Sequence, residues 1–187
     1  MLQKSHEATS LSCAQEWIDI GIHPHSFDFE FRPSLFCDLI SHEFVLSTLT
    51  RITQTSLPII VITGPSGVGK TTVLKKFIAQ NHQCLDLCIL KATSGCSIQN
   101  ILKSIALHRQ CEPINPAESS QKALITLLNE LNTQSCRTQI VLDDAHHLPL
   151  ESLAALIHMT NSPTNKKPLQ LVLVGNESCY INTLKLL

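Results

Sequence analysis

The octet Gly64-Pro65-Ser66-Gly67-Val68-Gly69-Lys70-Thr71 constrains this chain more than any other stretch. It has the form Gly, any four residues, Gly-Lys-Thr, and it stands between an apolar run (residues 59–62) and a segment of helical period. Its three glycines let the backbone curl with N–H groups turned inward, where they can bond the oxygens of a polyphosphate at the positive end of the following helix. Pro65, Ser66, Gly67, Val68, Gly69, Lys70, Thr71 and Thr72 are therefore the predicted phosphate-binding residues. Lys70 is expected to reach the β- and γ-phosphates, and the Thr71 hydroxyl to hold a magnesium ion. A glycine-rich turn of no chemical meaning is the competing reading, and it leaves the flanking strand and helix unexplained.

A phosphate cradle by itself only binds. Hydrolysis needs carboxylates at the end of another strand, and Ile140-Val141-Leu142-Asp143-Asp144 has that form. The apolar residues bury the strand, and the carboxylates emerge at the carboxyl edge of the sheet, where open α/β folds hold ligands. Asp143 is predicted to hold the magnesium together with Thr71, and Asp144 to orient or polarise the attacking water. The alternative is an ordinary turn beginning at Asp-Asp. His146 and His147 follow, and read more simply as one packed and one exposed side chain than as contacts to phosphate. A further strand ends at Val174-Gly175-Asn176, which makes Asn176 a candidate for reaching the γ-phosphate region; a turn asparagine is the other reading.

Around these motifs the chain alternates strands and helices. Strands are expected over residues 57–63, 84–90, 138–144 and 169–174, and helices over 35–55, 71–80, 98–107, about 124–131 and 150–160. Ser41 and Ser97 are the expected helix caps. Alternation of this kind implies a parallel sheet covered by helices on both faces. Residues 1–34, with His23-Pro24-His25 and the alternating Phe27, Phe29 and Phe31, read as an extended arm or one short strand.

The chain's 187 residues make one domain with a substantial core. A formal net charge of −1 supplies no global basic field for nucleic acid, so charge does not indicate DNA as a partner. Eight cysteines are irregularly spaced and form no Cys-x-x-Cys pair, which favours reduced thiols packed as small apolar groups. Cys84 and Cys88, with His82 nearby, lack two further ligands for a zinc site. The N-terminus has no secretory pattern, and no run approaches the ~18 apolar residues of a membrane span. The expected location is cytoplasmic, with any membrane association arising through parts outside these residues.

In this order and at these distances, GPSGVGKT, IVLDDAHHL and LQLVLVGNES resemble the AAA+ ATPases typified by the secretion ATPase ExeA. That group also includes transposition ATPases and the cytoplasmic part of the division protein DamX, which is linked to a SPOR domain. The resemblance spans residues 33–187. It implies a P-loop NTPase three-layer α/β sandwich with a parallel sheet of order 5-1-4-3-2. It implies Lys70 and Thr71 in the Walker A motif, Asp143 and Asp144 in Walker B, and Asn176 as the sensor. The helix before the first strand is expected to lie near the adenine, through residues 35–41. Family members continue into a fifth strand, an arginine finger and a helical lid, whereas no arginine follows Arg137 here. The expected organisation is an arm (1–34) and an ATPase core (35–187) cut short before the lid, with the fifth strand missing.

The expected function is an ATP-hydrolysing switch that uses ATP and Mg2+ and assembles with itself in a nucleotide-dependent way. A protein partner at the membrane or cell envelope, or DNA, is the object of secretion-, division- or transposition-type work. The alternative is a nucleotide-binding interaction module with little or no hydrolysis. A small-molecule kinase shares the loop but needs an arginine-bearing lid.

Overall fold

Four short apolar runs, each too brief for a helix and rich in Ile, Val and Leu, pair side by side in the computed structural model of the chain. The structure describes residues 36–37, 39–111, 119–133, 137–161 and 169–187. The predicted arm, Cys13, Cys136, the proline loop around Pro113 and Pro116, and the turn at Ser162-Pro163 lie outside the described residues.

The elements in chain order are α1 (Ile40–Thr53), β1 (Ile59–Thr63), α2 (Lys70–Asn81), β2 (Asp86–Lys91), α3 (Ile98–His108), α4 (Ser120–Thr133), β3 (Thr138–Asp143), α5 (Leu150–Thr160), β4 (Leu169–Gly175) and α6 (Glu177–Leu186). A 3-10 turn, Ala145–His147, follows β3. The strands form one parallel sheet of order β1-β4-β3-β2. This is the expected 1-4-3-2 order, and the described residues contain no fifth strand.

The register explains why β4 is buried along its whole length. It lies between β1 and β3, with Ile59 opposite Leu171 and Ile140 opposite Leu171 on the other side, and all seven of its residues are buried. Strands covered on both faces need continuous apolar sequence rather than alternation. Ile140, Leu142, Leu169, Leu171 and Leu173 pack with α3, α4, α5 and Cys179 of α6 in one core. The alternate residues Val141, Val172 and Val174 are equally buried and point to the opposite face. There α1 packs on α2, which contributes Val73, Leu74 and a completely buried Phe77. Burying each such side chain stabilises the fold by roughly 1.5–3 kcal/mol before entropy is subtracted.

Several local expectations are corrected. Ser41 does not cap α1; the helix begins at Ile40 after Leu39, without a side-chain cap, because Leu39 is already extended at φ −76° and ψ 142°. Ser97 does cap α3, its hydroxyl accepting from Asn100 N at 3.3 Å. The second strand starts at Asp86 rather than Cys84: α2 runs to Asn81, and the amides of Cys84 and Leu85 both bond back to Asn81 O in a tight turn. Cys84 is thus exposed and off the sheet, while Cys88 is buried, so the two do not share a face. The six described cysteines are free, and the thiol-as-core reading fits Cys88 and Cys179 but not the exposed Cys37 and Cys84. Burial, reinforced by the Asp86 charge, pushes the Cys88 thiol up to about 11. Residues 177–186 form a helix that the sequence pattern did not announce.

The edge of the sheet remote from the loop is held by polar staples. Arg137 donates to the carbonyls of Thr55 and Leu57, the latter at 2.8 Å, and Gln170 donates to Leu57 O at 2.7 Å. Asp86, at the start of β2, accepts from His108 Nε2 (2.7 Å), Arg109 Nη1 and Thr138 Oγ1 (2.8 Å), joining β2, β3 and the end of α3. Burial alone would raise its carboxyl; the hydrogen bonds from Thr138 and His108 and the Arg109 charge outweigh burial and hold it below its ordinary 3.8. A carboxylate depressed in the folded state stabilises above its unfolded value and loses that contribution as pH falls through the folded one. Asp86→Asn should therefore lower the unfolding free energy by about 2 kcal/mol at pH 7, the scale of hydrogen bonds to a charged group. Urea titrations should show the gap to wild type shrinking as pH drops below 3.8.

Candidate nucleotide site

The loop between β1 and α2 turns on two glycines. Gly67 (φ +84°) and Gly69 (φ +86°) both occupy the left-handed region, which a residue with a Cβ adopts only at a cost. Pro65, Ser66, Gly67 and Val68 are exposed. Gly69 stands at the N-cap of α2 and has no side chain to cap it, and the first turn carries no acidic residue. The amides that a cap would satisfy are left for an anion.

Lys70 bends back over the loop, its Nζ donating to Gly64 O at 2.9 Å and Pro65 O at 2.8 Å. One position on, Thr71 reaches across the sheet. Its Oγ1 donates to Asp143 Oδ2 at 2.9 Å, joining residues 72 apart in sequence. Asp143 is 8% exposed, and its second oxygen accepts from Asp144 N at 3.0 Å. A hydroxyl and a carboxylate in direct contact are the hard oxygen donors that magnesium takes, so the pair fits the expected ion.

Asp144 departs from an ordinary strand end. It adopts φ +54° and ψ 33°, a conformation aspartate tolerates better than most residues, and it opens the 3-10 turn. The acid pair and the turn, which compete in sequence, are the same object in three dimensions. Lys91 at the end of β2 is paired in register with Asp143, and its Nζ lies 3.5 Å from Asp144 Oδ2. The Lys91 side chain is 72% exposed, so this ion pair is weakly held.

Asn176 caps α6: its Oδ1 accepts from Cys179 N (3.3 Å) and from Ser178 Oγ (2.5 Å). It also lines, with Thr63, Gly64, Pro65, Glu177, Ser178 and Tyr180, a cavity of about 520 Å³ beside the loop. His146 is half-buried and His147 exposed, their rings 4.1 Å apart. The loop, Lys70, Thr71, Asp143, Asp144 and Asn176 thus converge at the carboxyl ends of β1, β3 and β4. Among the described residues no cluster of three or more His, Cys, Asp or Glu side chains is suited to a metal.

Sequence reasoning missed two neighbours. Lys91 was detectable in principle, since the end of a strand beside the acidic strand must lie near the carboxylates. His42 of α1 was not: its Nε2 lies 3.4 Å from Val68 O, a contact set by how α1 docks.

A family model described as "AAA domain" matches residues 54–180, more than half of the chain. The chain belongs to the AAA domain family. Solved structures agree in fold. They include CDC6P from Pyrobaculum aerophilum (TM-score 0.68, 21% identity, covering 81% of this chain and 43% of that one). The Aeropyrum pernix ORC2 protein in its ADP form matches with TM-score 0.62 and 16% identity, over 86% of this chain and 47% of that one. The Aeropyrum pernix ORC1 protein in complex with DNA matches with TM-score 0.60 and 17% identity, over 83% and 44%. The chain therefore spans less than half the length of these structures. No curated protein matches. Among the described residues no helix is long and apolar enough to cross a membrane.

Gly175 shows how tightly the site is built. A Cβ there would lie 2.7 Å from Cys179 Cβ, so only glycine lets α6 turn back over the end of β4. Gly175→Ala should cost about 1–3 kcal/mol through overpacking, read as a lower urea midpoint with an unchanged slope.

Proposed function

We propose that this AAA domain binds MgATP and acts as a nucleotide-dependent switch, hydrolysing ATP to ADP and phosphate. The observation that carries this reading is the bond between Thr71 Oγ1 and Asp143 Oδ2, which joins the phosphate loop to the acid pair. The loop amides and the Lys70 ammonium would bind the phosphates, with Lys70 turning from the Gly64 and Pro65 carbonyls toward them. Thr71 and Asp143 would hold magnesium, which neutralises phosphate charge when bound. Asp144 would orient the attacking water and accept its proton. Capping occupies Oδ1 of Asn176, so its Nδ2 would be the donor toward the γ-phosphate. Solved ORC2 in ADP and in ADPNP-ADP forms adds support for nucleotide as the ligand.

Residues 35–187 form the ATPase core in this reading, with residues 1–34 as an arm. The chain assembles with copies of itself when nucleotide is bound. The likeness of GPSGVGKT, IVLDDAHHL and LQLVLVGNES to the ExeA, transposition and DamX group supports work on a protein or DNA partner. The net charge of −1 favours protein over DNA.

A second reading is favoured by one contact. The Lys91 ammonium lies 3.5 Å from the carboxylate assigned to the water and competes with the water for it, which suits a module that binds nucleotide and turns it over slowly. Both readings require binding. Lys70→Ala should abolish ATP binding in a fluorescent-nucleotide titration, and unchanged affinity would sink both. Asp144→Asn should keep ATP affinity within about two-fold and eliminate phosphate release; a wild-type protein that binds ATP yet releases no phosphate at high concentration selects the second reading. Thr71→Val should leave binding of metal-free ATP intact and erase its strengthening by magnesium.

A further inference from the structure

The peptide between Val68 and Gly69 ends at Gly69 (φ +86°) and lies one residue after Gly67 (φ +84°), both in the left-handed region. Glycine restrains its backbone least of all residues, so on its Gly69 side this peptide plane is held only weakly by the chain itself. A restraint arrives from outside the loop. His42, in the first turn of α1, brings Nε2 to 3.4 Å from Val68 O, and a carbonyl oxygen only accepts, so Nε2 is the donor. The Cε1 and Nε2 atoms of the same ring each lie 3.4 Å from the place a Gly69 Cβ would occupy, so the ring is in contact with the loop at Gly69. His42 is half-buried and held there by the packing of α1 on α2. It falls outside residues 54–180, which the family model matches.

In a trans peptide the C=O and the N–H point in opposite directions. Holding Val68 O toward His42 therefore turns the Gly69 N–H away from that ring, to the side on which the nucleotide reading places a phosphate oxygen. The geometry points to His42 as a positioning residue of the nucleotide site: it fixes the Val68–Gly69 peptide and thereby pre-orients the Gly69 amide for polyphosphate. The inference rests on the nucleotide-binding reading above. It makes the helix before the first strand part of phosphate recognition, through a hydrogen bond to backbone and with no contact to base or sugar. Preorganising a donor removes the ordering cost that a free glycine peptide would impose at binding.

The test uses the full chain as wild type, His42→Ala, His42→Phe and His42→Gln, with unfolding midpoints measured for each. Affinity is read for ATP and for inorganic tripolyphosphate, each competing with a fluorescent ATP analogue. Ala removes the donor and the ring, Phe keeps a ring against Gly69 without a donor, and Gln restores an N–H at similar reach. The expected result is that Ala and Phe weaken ATP and tripolyphosphate by the same factor, about three- to ten-fold as for one hydrogen bond, and that Gln recovers most of it. Wild-type affinity in His42→Ala overturns the inference while leaving nucleotide binding in place. So does recovery by Phe, which assigns the effect to packing, or a loss for ATP without a loss for tripolyphosphate, which assigns it to the nucleoside. A wild-type protein that binds neither ligand overturns the nucleotide reading itself, and this inference with it.

Discussion

Everything at the site depends on β4 lying between β1 and β3. Parallel pairing on both sides sets the carboxyl ends of three strands level, with Thr63 opposite Gly175 and the end of β3 beside them. The loop leaves from β1, the acid pair from β3, and Asn176 from the strand between. Because β4 is buried along its whole length, this spacing has no slack: a slip by one residue would turn every apolar side chain to the wrong face. The contact between Thr71 and Asp143 is the visible consequence, a hydrogen bond across a sheet whose order alone could have brought the two together.

The order of elements was legible because it rests on strong local signals. Runs such as Leu169-Gln170-Leu171-Val172-Leu173-Val174 admit little besides a buried strand, and the loop carries its own chemistry in Gly67, Gly69, Lys70 and Thr71. The boundaries were less legible where tertiary contacts decide them. The turn that returns Cys84 and Leu85 to Asn81 shortens β2 at its start, although the alternation of residues 84–90 suggests a longer strand. Likewise the helix over residues 177–186 has an even mixture of polar and apolar residues. It is specified by the Asn176 cap and by Gly175, neither of which announces a helix without knowledge of what lies opposite.

At the site the same division holds. The groups proposed to carry the chemistry, Lys70, Thr71, Asp143 and Asp144, could be singled out because only certain residue types can do the work expected of them. The supporting groups were not. Lys91 and His42 are unremarkable in sequence, and their relevance comes from register in one case and from helix docking in the other. Asn176 shows the overlap of the two: the residue that caps α6 with Oδ1 also lines the cavity beside Gly64 and Pro65, so its structural and functional readings are compatible.

Glycine marks two places where a side chain from a helix presses on the site. At Gly69 the ring of His42 approaches from α1, and at Gly175 Cys179 approaches from α6. These helices lie on opposite faces of the sheet, since Cys179 packs in the core with α3, α4 and α5 while α1 packs on α2. The loop after β1 and the end of β4 are thus each pressed by a different layer of the domain. A change in how α1 packs reaches the loop through Val68 and Gly69, and a change in α6 reaches Asn176 through Gly175. Interiors packed this closely transmit small displacements rather than absorbing them. A contact made on either face therefore has a short mechanical route to the residues proposed to bind nucleotide, and by reciprocity occupancy of that proposed site would have the same route back.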